Sequence, residues 1–515
     1  MIRWRKNPVE RVNQKKAGVM ITYLTMGLRV LIGLVYTPFM LMKVGDSQYG
    51  IYSLSLSLIS FISLLDLGFG QTMVRYVARS RALEDKEEEA KLNGFFLQLY
   101  SAIALLALLV GLAVFFLYPQ LCRDTMDAAE LQLFKAVFLI LLADTVISFP
   151  MCVFSATINA HERFFYMKSA DLVTMIVKYV LMTLLLLLGN KVLAITIVTS
   201  SLSIGLKLIN AFYCKKKLAI RFSFGTYPKE QAREIFLFSF FIFLNLIIDF
   251  LYNSTDTLIL GAVRGTLAVT TYSFGIYFET YFQELSTAMS GVFMPRVVYL
   301  FEHDRDMNAL SELFLKVGRL QMALLLLALS GFVTYGKDFI CLWVGKEHAN
   351  AYYIGLLIML PALVPLSQNI GISILRAMNL HKYRSYMYLA IAVLNVAISI
   401  PLAKRYAGIG AAAGTCIACI AGQIVYMNLY YSRKIGLNIR QYWHDLFRFC
   451  AVCVPLVAAA ALIKKALPIS SWGMLAAHIV LFTVLYAAVY WFVSSNTYEK
   501  NLIRELAMRL RRAKT

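Results

Sequence analysis

The chain has 515 residues, of which 60% are hydrophobic and only 15% are charged, a balance that excludes an ordinary water-soluble protein. Its formal net charge of +21 is of a size that often indicates nucleic-acid binding. Lys and Arg are, however, dispersed over many short segments between apolar stretches, which argues against any nucleic-acid interface.

About fourteen apolar stretches follow one another, each near the ~20 residues that cross a bilayer as a helix. We therefore predict an all-α polytopic membrane protein. The predicted spans begin near Ala17, Tyr49, Gly94, Leu133, Ala170, Val192, Ile235, Leu267, Leu320, Tyr352, Ser385, Gly408, Leu446 and Trp472. The first span is full length and has no small-residue cleavage pattern, so we expect it to remain as a helix.

The basic residues predict the orientation, because Lys and Arg are retained on the cytoplasmic side during insertion. Most of the 50 Lys and Arg residues lie in the two termini and in alternate loops. An even number of spans also places both termini on one side. We therefore predict that the basic N-terminus (1–16) and the basic tail (496–515) are both cytoplasmic.

A sequence repeat divides the spans into two halves. The segment Asn159–Met167 resembles Asn379–Met387, about 220 residues later, and at the same offset Gly45 matches Gly265. Matches at one offset indicate a tandem duplication, with chance similarity between apolar sequences as the alternative. The predicted parts are a first lobe of spans 1–6 (17–213), a linker (214–233), a second lobe of spans 7–12 (234–431) and two appended spans (432–495).

No segment outside the predicted spans is long enough to form a catalytic domain. The pairs Cys416–Cys419 and Cys450–Cys453 have metal-site spacing, but they lie in or beside apolar spans without a nearby His, so we predict no metal site. The run Gly408–Gly414 imitates a dinucleotide fingerprint but lacks the preceding strand. The sequence therefore predicts a transporter and not an enzyme.

Two stretches carry a family resemblance: Val44–Tyr52 with its continuation Leu65–Gln71, and Tyr406–Thr415 at the start of span 12. In these motifs the chain resembles the polysaccharide-transporter family of lipid-linked oligosaccharide flippases. That family belongs to an exporter superfamily that also contains multidrug extruders and lipid II flippases. The resemblance implies two six-helix lobes arranged as a V about a pseudo-two-fold axis, with a central cavity that opens alternately to each side.

The resemblance also implies a function: transport of an undecaprenyl-diphosphate-linked glycan across the cytoplasmic membrane of a bacterium. The glycan would serve O-antigen (lipopolysaccharide), capsule or exopolysaccharide biosynthesis, alongside a polysaccharide polymerase and glycosyltransferases. The first alternative is a cation-coupled multidrug exporter of the same fold. The second, a membrane glycosyltransferase or ligase, would need a larger soluble loop than this chain contains.

Charged residues within a membrane are costly and are therefore candidates for function. Arg29 lies near the middle of span 1, and Lys178 lies near the middle of span 5. Arginine presents a planar fork of donors that suits phosphate oxygens. We predict that Arg29, assisted by Lys178, binds the diphosphate of the substrate.

Span 7 carries four polar residues whose spacing places them on one helix stripe. They are Asn245, Asp249, Asn253 and Asp256. Together with Glu279 of span 8 they are predicted to line the cavity and to couple transport to H+ or Na+, and no other cofactor is predicted. Asp249 is the repeat partner of Arg29, so mutual neutralisation of these two side chains is the alternative.

Overall fold

Helices make up almost all of the chain that the structure describes. The structure, a computed structural model, describes residues 8–225, 227–301, 306–378, 380–501 and 508. Within these ranges no residue forms a β-strand, and the predicted all-α class is confirmed. The chain divides into two compact units, Met1–Thr270 and Thr271–Thr515.

The first unit is built from long helices joined by short turns. They are α1 (Pro8–Val44), α2 (Asp46–Ser63), α3 (Phe69–Ala82), α4 (Lys86–Leu121), α5 (Ala128–Ala160), α6 (Phe164–Leu187), α7 (Val192–Tyr213), α8 (Lys229–Asn253) and α9 (Thr255–Arg264). Helix α5 packs on α4, α7 and α2, and α1 packs on α6. Because α8 and α9 correspond to predicted span 7, that span packs within the first unit.

The second unit continues the helical pattern. Its helices are α10 (Thr266–Tyr299), which begins in the first unit, α11 (Met307–Trp343), α12 (Asn350–Ser367), α13 (Asn369–Ala377), α14 (His381–Cys419), α15 (Met427–Tyr430), α16 (Ile439–Ala466) and α17 (Trp472–Val489). Helix α11 is central, since it packs on α12, α16 and α17. The lobe and linker boundaries expected from the repeat stay a prediction.

Among the described residues, 11 helical segments are long and apolar enough to cross a membrane. Predicted spans 7 and 8 form α8–α9 and α10, which are not among the 11. Predicted spans 11 and 12 lie in one segment, Tyr386–Ile435, that is interrupted at Ala407, where φ is 50° and ψ is −135°. The chain is therefore a multi-pass membrane protein, and the number fourteen stays a prediction.

Capping side chains explain where several helices begin. The Asp85 carboxylate accepts the Glu88 N–H at 2.9 Å at the start of α4. At the start of α5, Asp127 and Glu130 form a reciprocal capping box. Such caps satisfy backbone N–H groups that have no partner within the helix.

The two halves of the chain break their helices at equivalent places. Gly45 and Gly265, which are repeat partners, precede α2 and α10 with φ values of +84° and +80°. Glycine reaches this region without steric cost. The agreement supports the tandem duplication inferred from the sequence.

The segment after α7 is docked on the N-terminal end of α4. Ser223 N–H donates to Ala90 O at 2.9 Å, and Asn93 Nδ2 donates to Arg221 O at 3.4 Å. The Tyr227 hydroxyl donates to Glu88 Oε1 at 2.6 Å. Burial, followed by the hydrogen bond to Glu88, raises the pKa of the Tyr227 phenol well above its usual value. Tyr227 therefore remains a hydrogen-bond donor.

Ion pairs join α11 to α16 near both ends in the second unit. Arg319 lies 2.9 Å from Asp445, and Lys464 pairs with Asp338. On each helix the paired residues are about 19 positions apart, or about 28 Å at 1.5 Å per residue. This distance approximates the hydrocarbon thickness of a bilayer. Arg319 is only 7% exposed, and its Nε also lies 2.8 Å from Glu499.

Candidate functional site

Arg29 and Lys178, the predicted diphosphate ligands, lie on packed helices of the first unit. Arg29 is on α1 and exposed, and Lys178 is on α6 and half-buried. The two cationic groups are close enough to interact electrostatically. The Lys178 Nζ atom lies 5.8 Å from the centre of the Tyr179 ring. The structure therefore brings the two predicted ligands into one region.

Asp171 is a neighbour that the sequence analysis missed. It lies on α6 seven residues before Lys178, so the two share a helix face. Its carboxylate is within electrostatic range of Arg29 and lies 3.9 Å from Lys168. The seven-residue spacing from Lys178 was the signal that could have identified it.

Three tyrosines adjoin the two cations, and sequence analysis missed them too. Tyr36 lies on α1, seven residues beyond Arg29, and its ring meets that of Tyr179 edge to face at 5.1 Å. The phenols of Tyr36, Tyr52 and Tyr179 are within electrostatic range of one another. These three residues are called the tyrosine patch below. No local sequence pattern joins them, because they come from three helices.

Most of the polar stripe predicted on span 7 falls on side chains that the structure does not describe. They are Asn245, Asp249 and Asn253, all within α8. The predicted single stripe is wrong at its end, because the helix is interrupted at Ser254 and Asp256 lies on α9. The pairing of Arg29 with Asp249 stays a prediction.

Two of the predicted coupling carboxylates are described, and both are buried. Asp256 is 3% exposed in the first unit, and Glu279 on α10 is 6% exposed in the second. A buried carboxylate is costly as an anion and gains from a bound proton or cation. Both residues therefore remain candidates for coupling.

Lys207 is held by a polar cluster between α5 and α7, so its interpretation as a snorkelling side chain is wrong. Its Nζ lies 3.2 Å from Asp144 Oδ1 and 2.8 Å from Ser203 Oγ, and it also donates to the Ser148 hydroxyl. Sequence analysis placed Asp144 near a span end and discounted it. In fact it lies at the middle of the 33-residue helix α5.

The family motif around Asp66 lies at a break between α2 and α3. Leu67 and Gly68 both have positive φ, at 50° and 78°. Asp66 accepts hydrogen bonds from Gly68 N–H at 3.1 Å and from the Tyr100 hydroxyl at 2.6 Å. A Cβ on Gly68 would lie 2.6 Å from Ile242, so glycine serves both the turn and the contact with α8.

The polar contacts of the first unit recur at repeat-equivalent positions of the second, with other residue types. Ser286 replaces Asp66, and Gln321 Nε2 donates to its Oγ at 3.3 Å. Gln368 and Asn428 replace Ser148 and Lys207, and the Gln368 amide donates to Asn428 Oδ1 at 2.7 Å. The second unit thus forms the same contacts with neutral groups.

Helix α8 contacts α3 through hydrogen-bonding and aromatic groups. The Thr72 and Ser239 hydroxyl oxygens are 2.7 Å apart, and the Tyr76 hydroxyl donates to Glu234 at 2.9 Å. The Arg75 guanidinium lies 4.2 Å from the Phe238 ring centre. This side of the first unit is therefore joined to predicted span 7.

A second set of contacts involves α9 and the start of α10. Tyr118 donates to Leu258 O at 3.0 Å, and Thr266 donates to Glu130 Oε1 at 2.9 Å. Thr270 Oγ1 donates to Asp46 O at 2.7 Å. By the predicted orientation, these contacts lie at the non-cytoplasmic end of the first unit.

A model of the polysaccharide biosynthesis protein family matches residues 16–301, more than half of the chain. The chain belongs to this family. It is therefore a transporter and not an enzyme, and the resemblance expected from the sequence is confirmed.

Relatives and solved structures agree with this assignment. The chain is 22% identical to the uncharacterized membrane protein EpsK of Bacillus subtilis over 92% of its own length and 94% of that protein. Its fold is similar to the lipid II flippase MurJ in an inward closed conformation, with a TM-score of 0.69 and 14% identity. The likeness covers 92% of this chain and 99% of MurJ.

Two further transporters share the fold. A transporter of the same superfamily from Pyrococcus furiosus, described as having a binding pocket of reverse polarity, has a TM-score of 0.53 and 14% identity. The likeness covers 84% of this chain and 98% of that transporter. The Vibrio cholerae multidrug transporter VcmN has a TM-score of 0.53 and 16% identity, over 83% of this chain and 99% of its own.

Proposed function

We propose that this transporter is a flippase that moves a polyprenyl-diphosphate-linked oligosaccharide across the cytoplasmic membrane of a bacterium for cell-surface polysaccharide biosynthesis. The observation that carries the proposal is the proximity of Arg29 and Lys178 on α1 and α6. A pair of cations at membrane depth suits a diphosphate, whereas a drug exporter that binds organic cations would favour carboxylates there.

The chemistry of the substrate explains why these two residues are needed. A diphosphate cannot enter hydrocarbon without compensation of its charge. Arg29 offers paired donors to its oxygens, and Lys178 adds a compact second charge. Asp171 beside them would hold Arg29 in place until the substrate arrives. The polyprenyl chain is apolar and can remain among the lipids.

Transport would proceed by alternating access, with H+ or Na+ as the coupling ion. Asp249, Asp256 and Glu279 are the proposed coupling carboxylates, and Asn245 and Asn253 would line the cavity beside them. The contacts of Thr266 and Thr270 with the first unit would close its non-cytoplasmic end. In this proposal both termini are cytoplasmic, and glycosyltransferases and a polymerase act before and after the transporter.

The test is movement of a fluorescent undecaprenyl-diphosphate oligosaccharide between leaflets of proteoliposomes, with and without a proton or sodium gradient. Arg29→Ala is expected to reduce the rate at least about tenfold, since a charge-assisted contact contributes roughly 1.5–3 kcal/mol. Lys178→Ala should reduce it less. Lys168→Ala, on the same helix but exposed, is the control and should retain the native rate.

The result that would overturn the proposal is specific. If the native protein moved no lipid-linked glycan but extruded cationic dyes under an ion gradient, the chain would be a multidrug exporter. Dependence of the glycan rate on only one of the two gradients would identify the coupling ion. The variants Asp256→Asn and Glu279→Gln would then show which carboxylate binds it.

A further inference from the structure

We propose that the tyrosine patch, formed by Tyr36, Tyr52 and Tyr179, binds the sugar that is attached directly to the diphosphate. This inference rests on the proposed function and names a second part of the same site. The ligand class is a pyranose with free hydroxyl groups.

The position of the patch fits this role. Tyr36 lies two helical turns beyond Arg29, on the same face of α1, and Tyr179 directly follows Lys178 on α6. The Tyr179 ring is 5.8 Å from the Lys178 Nζ and 5.1 Å from the Tyr36 ring. A group bound at the two cations therefore has the tyrosine patch as its immediate neighbour along the helices.

The Tyr36 hydroxyl is the strongest sign of a polar ligand. Tyr36 is only 9% exposed, and among the residues that the structure describes its hydroxyl has no hydrogen-bond partner. Buried polar groups in proteins are nearly always paired. The surrounding cluster, with Met40, Val44 and Met182, is apolar, so packing alone accounts for the ring but not for the hydroxyl.

The rest of the patch is accessible and polar. Tyr52 and Tyr179 are half-buried, and the Thr199 hydroxyl lies beside the Tyr52 phenol. A phenol both donates and accepts hydrogen bonds, as a sugar hydroxyl does, and its ring offers an apolar face for the C–H groups of a pyranose. The patch therefore combines a buried base at Tyr36 with an open edge towards Arg29.

The experiment compares binding of two lipids, undecaprenyl diphosphate and an undecaprenyl-diphosphate-linked oligosaccharide, to the full chain in nanodiscs by native mass spectrometry. Tyr36→Phe and Tyr179→Phe keep the rings and remove the hydroxyls. Each should weaken binding of the glycosylated lipid about three- to tenfold, which corresponds to one hydrogen bond, and leave undecaprenyl diphosphate within about twofold.

Two controls separate this inference from the proposed function. Arg29→Ala should weaken both lipids alike, because it acts on the diphosphate that they share. Tyr213→Phe, a half-buried tyrosine at the end of α7, should change neither. If the native protein bound neither lipid, the proposed function would fail. If both lipids bound and the tyrosine variants left them unchanged or weakened them equally, only the sugar site would be overturned.

Discussion

Lys207 Nζ lies 3.2 Å from Asp144 Oδ1 inside the first unit, and neither equivalent position of the second unit is charged. Those positions are Val364 and Asn428. With Arg29 and Lys178, the first unit thus carries both polarities of charge at membrane depth. A duplicated fold has kept its contacts and changed their chemistry, which lets the two halves take different roles.

Removing the charge of Asp144 should destabilise the protein, because Lys207 would stay in the membrane without its carboxylate. Asp144→Asn is expected to cost about 3–5 kcal/mol, the range for breaking a buried ion pair. The measurement is thermal unfolding in detergent. Replacing both residues, as in Asp144→Leu with Lys207→Met, should recover most of the loss. A double variant no more stable than Asp144→Asn would contradict the pairing.

The matched control is an exposed pair of the same charges. Lys91 and Glu87 are 2.7 Å apart on α4, but their side chains are 46% and 80% exposed. Glu87→Gln should change the unfolding free energy by less than about 1 kcal/mol, as exposed pairs contribute little.

Arg319 is expected to be the most sensitive ionic residue of the second unit described by the structure. Arg319→Met would leave Asp445 and Glu499 buried as uncompensated carboxylates, at a cost of about 3–5 kcal/mol. Lys316→Met, which removes an exposed lysine on the same helix, should be nearly neutral. Fluorescence-monitored thermal unfolding compares the two, and equal midpoints would contradict the structure.

Gly94 should not tolerate a methyl group, since its Cβ would lie 2.0 Å from the carbonyl oxygen of Ser223. Both atoms of this contact belong to the backbone or to Cβ, so the docked segment after α7 would have to move. We expect Gly94→Ala to lower the melting temperature and to expose that segment to limited proteolysis. Gly205→Ala is the control, because a methyl group there would have no neighbouring side chain or helix within 4 Å, and alanine favours a helix by up to about 1 kcal/mol.

A cross-link between α3 and α8 should stop transport if span 7 moves during the cycle. The Thr72 and Ser239 hydroxyls are 2.7 Å apart, so cysteines at these positions are well placed to form a disulfide. Oxidation of Thr72→Cys/Ser239→Cys should abolish flipping, and a reductant should restore it. Each single variant controls for the eight native cysteines. Full activity of the cross-linked protein would show that α3 and α8 move together.

Several conclusions were available from the sequence because they depend on local chemistry. Apolar length predicts membrane helices wherever it occurs, and the motif Leu65–Gln71 is enough to indicate the family. The proximity of Arg29 to Lys178 was also anticipated, since each stands alone as a charge near the middle of an apolar span. The break at Ser254 was missed, because spacing arguments assume an uninterrupted helix.

The sequence by itself determined the all-α membrane class, the transporter family and the repeat, since hydropathy, motifs and internal similarity are properties of neighbouring or aligned residues. Only the tertiary structure decided that Lys207 pairs with Asp144, that Arg319 holds Asp445 and Glu499, and that Tyr36 meets Tyr179. These partners are far apart in the chain and come together through helix packing. Packing depends on the summed contacts of whole helix faces, which no local pattern of residues specifies.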